Sequence, residues 1–217
     1  GKTLMVDEGA EVQSLLSKLD FSKGLKTIVI DAGHGGKDAG CHGTKKTYEK
    51  RITLKIALKL GKYIEDAYPN LKVIYTRKKD VFVELKDRAK IANKNKADLF
   101  ICIHANAGPS SAYGCETYVL GLHKTGAQKS IADRENSQIY LEDDGGEKYK
   151  DFDLSPDAII ARSIQLSFFL DQSISFAEKV QKQFKKLKRH DRGVKQAGFL
   201  VLYQTTMPSV LIETGFL

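Results

Sequence analysis

The chain has 217 residues, 41% hydrophobic and 29% charged, which excludes a disordered polymer and suffices to bury the core of one domain carrying an insertion. Lys and Arg number 35 against 27 Asp and Glu, a net charge of +8, so the surface favours anionic surroundings such as nucleic acid, acidic lipid or a wall polymer, and charge alone does not choose among them. No apolar stretch approaches the ~20 residues that a membrane span needs, no secretory signal is visible, and the three cysteines, Cys41, Cys102 and Cys115, form neither a CxxC pair nor an even disulfide framework.

Residues 1–23 read as a leader or linker, and a single domain is expected over 24–217. Its first element is Thr27-Ile28-Val29-Ile30, a β-branched run that stops at the turn Asp31-Ala32-Gly33-His34-Gly35-Gly36. That places His34 at the carboxyl edge of a sheet, where open α/β sheets put their chemistry, among glycines that leave the imidazole uncovered. A helix is expected over Arg51–Ala67, because Ile52, Ile56, Leu60, Tyr63, Ile64 and Ala67 recur at three- and four-residue intervals while lysines take the other face; it ends before Pro69. A strand over Leu71–Thr76, a short helix over Glu84–Asn93 and a nearly continuous apolar strand over Asp98–Ile103, running into His104, come next. Cys115–Leu120 is strand-like and is followed by a long polar stretch to about Asp157. Ala158–Leu170 is apolar enough to pack into the core, with Ser155-Pro156 as a helix start. A helix over Ser173–Leu187 turns Ile174, Ala177, Val180, Phe184 and Leu187 inward, and the basic run Lys182–Arg192 tracks its solvated face and exit. Phe199–Tyr203 reads as the next strand and Ser209–Ile212 as the last, ending in Glu213. The alternation predicts an α/β domain with a central mixed, mostly parallel sheet flanked by helices.

Three strand ends thus finish in His34, His104 and Glu213, and Glu49 sits just before the first long helix. Strands that run the same way share an edge, so these side chains converge despite their separation in sequence. Two imidazoles and one carboxylate make a zinc set with its fourth tetrahedral position left for water, and the remaining carboxylate can move the water's proton to a leaving group. That is chemistry suited to amide hydrolysis. The residues alone leave open which glutamate binds metal and which is the base. Taken singly, each has a plainer explanation, such as a helix-dipole role for Glu49, but four at equivalent topological places favour a site. A phosphate cradle is disfavoured, since Gly33, Gly35, Gly36 and Gly40 fit neither GxGxxG nor the P-loop spacing. His42, His123 and His190 read as solvated, with His42 nearest the site.

The segments Ile28–Gly36, Ile103-His104-Ala105-Asn106-Ala107 and Pro208–Leu217 resemble those of the zinc-dependent N-acetylmuramoyl-L-alanine amidases of bacterial cell-wall turnover, in the same order and over nearly everything from Gly24 onward. The resemblance implies a sheet of about six strands, a catalytic domain over 24–217, and hydrolysis of the amide between the lactyl group of N-acetylmuramic acid and the first L-alanine of the peptide stem. By motif position it makes His34, Glu49 and His104 the Zn2+ ligands and Glu213 the catalytic carboxylate. It implies peptidoglycan rather than nucleic acid as partner, a chain that does not span a membrane, a periplasmic or extracellular, wall-associated location, and a further helix beyond Leu217. Two other readings keep the same fold: a non-catalytic peptidoglycan-binding or regulatory module, and a zinc peptidase that cleaves within the stem.

The polar segment over about 124–170 resembles the insertion of division-associated amidases, in which a helix covers the cleft and offers a glutamate to the zinc. Glu135 matches that glutamate best. A carboxylate in the fourth position would displace water and keep the enzyme off until a protein activator withdrew the helix. Without the resemblance, the segment reads as a solvated helix and linker with a loop at Gly145-Gly146.

Overall fold

The computed structural model describes residues 24–43 and 46–217, so the expected leader over 1–23 lies outside the described residues. In chain order the elements are β1 (Thr27–Ala32), α1 (Glu49–Ala67), β2 (Lys72–Tyr75), α2 (Leu85–Lys94), β3 (Leu99–Asn106), β4 (Cys115–Leu120), α3 (Gly126–Asn136), α4 (Pro156–Gln165), α5 (Ser167–Lys186), β5 (Asp191–Ala197), α6 (Leu200–Tyr203) and β6 (Ser209–Phe216). The strands make one six-stranded sheet in the order β2-β1-β3-β6-β4-β5. β2, β1, β3 and β6 run parallel, while β4 is antiparallel to β6 and parallel to β5. This is the mixed, mostly parallel α/β sheet that the alternation predicts.

All eight residues of β3 are buried, as a strand covered on both faces requires. Phe100 and Cys102 join one core layer with Tyr118, Phe199 and Leu211, and Leu99, Ile101 and Ile103 join the other with Ile28, Ile30, Phe176 and Val210. α1 and α5 cover the second layer. α1 comes so close that a side-chain carbon at Gly61 would collide with the Tyr75 ring, so its most buried stripe is Glu49, Thr53, Ala57, Gly61 and Ile64. The larger Ile56 and Leu60 flank that stripe, because small residues let the helix approach the sheet.

Three expectations are corrected. The strand placed at Phe199–Tyr203 is the buried turn of helix α6; the real strand, β5, comes earlier, over Asp191–Ala197. An edge strand tolerates the charges of Asp191, Arg192 and Lys195, and five consecutive apolar residues have no period that separates helix from strand. Ala158–Leu170 does not pack as one core element. Leu166 divides it into α4 and the start of α5, and although Ile159 is buried, Ile160, Ile164 and Phe168 are exposed. Leu187, expected inward, is also exposed, because α5 has already ended at Lys186.

The segment between β4 and α4 is held to the body in part through α2. Glu84, the residue before that helix, supplies no side-chain cap, and the first amides are taken from outside: Leu85 N–H donates to Glu142 Oε1 (3.0 Å) and Lys86 N–H to Tyr149 Oη (2.8 Å). Lys148 pairs with both Glu84 and Glu142.

Candidate metal centre

β1 delivers His34 into a turn of unusual backbone. His34 has φ +61, and Gly35 and Gly36 follow at +127 and +57. A histidine in the left-handed region costs on the order of 1 kcal/mol, so something must hold it there. Two arginines do. Arg88, fully buried against Asp31 (2.8 Å), donates to the carbonyls of Ala32 (2.8 Å) and His34 (2.9 Å). Arg77 donates to those of Ala32 (2.9 Å) and Gly33 (2.8 Å). Burial would raise the Asp31 pKa, but the Arg88 guanidinium and the Thr76, Cys102 and Arg88 hydrogen bonds hold it below the usual carboxylate value. Gly33 and Gly40 are needed for space, since a side-chain carbon at either would run into His104 or Glu49.

His34 Nδ1 donates to Asp38 Oδ2 at 2.7 Å, which fixes the ring and turns Nε2 inward. Glu49 is the first residue of α1; its Oε2 accepts from Cys41 N–H and its Oε1 from Ala105 N–H, both at 2.9 Å. His104 lies inside β3 rather than beyond it and turns Nδ1 toward Glu49 Oε1 at 3.1 Å. Glu135 comes from α3, with Oε2 3.2 Å from His34 Nε2 and 3.1 Å from His104 Nδ1. One donor atom from each of His34, Glu49, His104 and Glu135 lies within 4.8 Å of the others, and all four residues are buried. A tetrahedral ion with ~2.0–2.1 Å bonds has donor separations of ~3.3 Å, close to three of the pairs here, at 3.1–3.2 Å. His34 Nε2 and Glu135 Oε2 have no hydrogen-bond partner, which would be costly for buried polar atoms without a cation between them. The donor set therefore fits a metal.

The imidazole expected to be uncovered is not: His34 is 6% exposed, because α3 lies across it. Burial would push the pKa of His34 down, but the Glu49, Asp38 and Glu135 carboxylates outweigh it and hold that pKa well above the ordinary value. Burial would raise that of Glu135, and the two imidazoles pull it well below.

Glu213 on β6 stands directly beside His104 in register and is 1% exposed, with neither carboxylate oxygen hydrogen-bonded. Its pKa is raised well above the usual range, first by burial and then by the Glu135 and Glu49 charges, against the pull of His104 and Arg134. On its other side, Glu116 of β4 faces it in register and behaves oppositely. Burial would raise the pKa of Glu116 too, yet Lys195, Arg192 and Tyr118 hold it below normal. Of two neighbouring carboxylates, one is kept charged and the other is left ready to take a proton.

The structure thus brings together His34, Glu49, His104 and Glu135, with Glu213 alongside. His42 is exposed and bridges to Tyr48, and His190 packs on Tyr113. Cys41, Cys102 and Cys115 are all unpaired thiols. Sequence reasoning missed Asp38, Arg77 and Arg88. Asp38 had a signal, four residues after His34 beyond a Gly-Gly turn; the arginines, 43 and 54 positions away, had none.

The family model described as N-acetylmuramoyl-L-alanine amidase matches residues 28–217. The chain is 36% identical over 200 residues to the amidase AmiC of Escherichia coli, covering 88% of this chain and 45% of AmiC. It is 32% identical over 205 residues to E. coli AmiA, covering 92% of this chain and 68% of AmiA. It therefore spans under half the length of AmiC and about two thirds of AmiA. Its fold is similar to the crystal structure of an N-acetylmuramoyl-L-alanine amidase from Clostridium difficile, with a TM-score of 0.62 at 29% identity over 88% of this chain and 80% of the other. The CwlD amidase from Clostridioides difficile, solved in complex with the GerS lipoprotein, is similar at a TM-score of 0.59 and 29% identity, covering 88% of this chain and 82% of that one. On the family match, the identities and the shared fold, the chain belongs to the N-acetylmuramoyl-L-alanine amidase family.

Proposed function

We propose that this domain is a zinc-dependent hydrolase of peptidoglycan that cleaves the amide between N-acetylmuramic acid and L-alanine, and that α3 holds it shut. The observation that carries the reading is a buried two-histidine, two-glutamate donor set with an unpaired, protonatable Glu213 at its side. His34, Glu49 and His104 would hold the ion, and Glu135 would fill the position that a water needs. When bound, the ion polarises the scissile carbonyl and lowers the pKa of water toward ~7. Glu213 takes the proton of the attacking water and hands it to the amide nitrogen as the carbon–nitrogen bond breaks. The products are the lactyl carboxylate and a stem peptide with a free amino terminus. Asp38 keeps His34 turned with Nε2 inward, and the Arg77–Arg88 clamp keeps its backbone in place.

Glu135 must leave before substrate can enter, so a protein activator is required to draw α3 away. The insertion over about 124–170 is its natural target. A net charge of +8 suits an anionic wall polymer, and no helix among the described residues is long and apolar enough to cross a membrane, in keeping with a periplasmic or wall-associated enzyme. The test is release of soluble products from dye-labelled peptidoglycan by the Glu135→Ala variant, with and without chelator, followed by mass analysis. Chelator-sensitive release of peptides beginning with alanine is expected. Cleavage between stem residues would make it a peptidase, and no release at all would leave a binding module.

A further inference from the structure

We infer that Asn106 accepts the N–H of the scissile amide and that Arg134 occupies this place in the closed form; the inference rests on the amidase reading above. Asn106 lies two residues past His104 on β3 and is 1% exposed. Its amide has only one sensible orientation. Nδ2 donates to Glu116 Oε1 at 3.0 Å, and Glu116 also accepts from Tyr118, Arg192 and Lys195. A flipped amide would set Oδ1 against that carboxylate, so Oδ1 must point the other way, where it accepts from Ala107 N–H (2.8 Å) and from Arg134 Nη2 (3.0 Å).

The same Arg134 nitrogen lies 2.9 Å from Glu135 Oε1 and 3.9 Å from Glu213 Oε1. One hydrogen-bearing nitrogen therefore sits on Asn106 and within reach of the proton carrier, beside the donor set that the carbonyl carbon must approach. Amide hydrolysis needs a nitrogen in such a place. As the carbon–nitrogen bond breaks, that nitrogen turns pyramidal and its lone pair must face the protonated Glu213; an acceptor that holds the N–H to one side sets that direction. A neutral acceptor suits the task, because a second carboxylate there would compete for the proton. Glu116, already countered by Lys195 and Arg192, orients Asn106 without adding net charge. In the closed form the plug then has two prongs, Glu135 over the donor set and Arg134 over Asn106 and Glu213.

The experiment uses the Glu135→Ala enzyme with zinc bound, a purified muropeptide, and its depsipeptide analogue in which an ester oxygen replaces the scissile N–H. Adding Asn106→Ala is expected to lower kcat on the amide by about 10–100-fold, the effect of one hydrogen bond made in the transition state, with KM and zinc affinity little changed and the melting temperature lowered by a few degrees, since Glu116 and Ala107 N–H lose a buried partner. On the ester, which has no N–H to accept, the substitution should cost under about threefold by the same reasoning. Glu116→Gln, which keeps Asn106 but frees its orientation, should give an intermediate loss on the amide alone. Equal losses on amide and ester, a loss explained by weaker zinc binding, or an unchanged amide rate each overturns the assignment. A parent enzyme that cleaves neither substrate overturns the amidase reading and this assignment with it.

Discussion

The donor set is built from two regions of unlike construction. His34, His104 and neighbouring Glu213 come from adjacent parallel strands at the middle of the sheet, and Glu49 from the first turn of a 19-residue helix packed on it. Glu135 comes from α3, whose buried side chains are Gln128, Ala132 and Glu135 itself. β3 buries Leu99, Phe100, Ile101 and Ile103 almost completely, each contributing about 1.5–3 kcal/mol, whereas the one fully apolar side chain buried by α3 is an alanine methyl contributing about 1 kcal/mol. Ile131 adds a half-buried contact with the core, and the rest of its hold is polar: Asn136 donates to Gly198 O and accepts from Leu200 N–H, and Glu135 contacts the imidazoles. A fourth donor carried by an element that buries so little apolar surface is the one that the proposed opening could withdraw without disturbing the other three.

If the sheet-borne half performs the chemistry, Glu213→Gln in the Glu135→Ala background should cost about 10²–10⁴-fold in amide hydrolysis while zinc still binds, measured by product release and by metal titration. A retained rate would remove Glu213 from the mechanism. Arg88→Met tests how rigid that half is. It strands Asp31 as a buried charge and should cost about 3–5 kcal/mol in the urea unfolding of the apo protein. The Asp31 pKa lies below its ordinary value, so the wild-type advantage should be complete above the ordinary carboxylate range and be lost as pH falls below that range, through the depressed pKa of the folded state. A cost under about 1 kcal/mol would mean that the turn holds His34 without the clamp.

The half that α3 contributes predicts the reverse sign. Without an activator, Glu135→Ala should raise peptidoglycan release over wild type by about tenfold or more, as removing a plug favoured by ~1.4 kcal/mol would do. Equal or lower activity in a folded variant would reduce α3 to a structural cover.

The two halves also differed in how far the sequence disclosed them. The parallel strands can be read because they are β-branched and nearly unbroken, and each closes on a polar residue; hence the sequence alone places His34, His104 and Glu213 on one edge. Glu49 is read from a helix start, but separating its role from that of Glu213 took family likeness. Phe199–Tyr203 misled because a run of five apolar residues suits either a strand or a helical turn, and β5 was hidden by its charges. Asn106 and Arg134 were beyond reach, since their meaning lies in which atom faces which across 28 residues of chain. Glu135 was placed through resemblance alone: the run 132–137 has no period or spacing that marks a donor.

The mildest perturbation of α3 leaves every site residue in place. Thr125 caps the helix, its hydroxyl accepting from Gln128 N–H while the Gln128 side chain reaches back to the Thr125 amide. Thr125→Ala removes half of that capping box and should weaken α3 by about 1 kcal/mol, enough to shift a closed–open equilibrium about fivefold. Because Glu135 remains, the open population gains only by that factor, and basal release should rise by up to about fivefold, below the Glu135→Ala level. Amide exchange along 126–136 should accelerate by a similar factor while β3 stays protected. Faster exchange with unchanged release would mean that α3 can fray without freeing the donor set, and would move the gate to Asn136 and Glu142, which tie the insertion to Leu200 and Leu85.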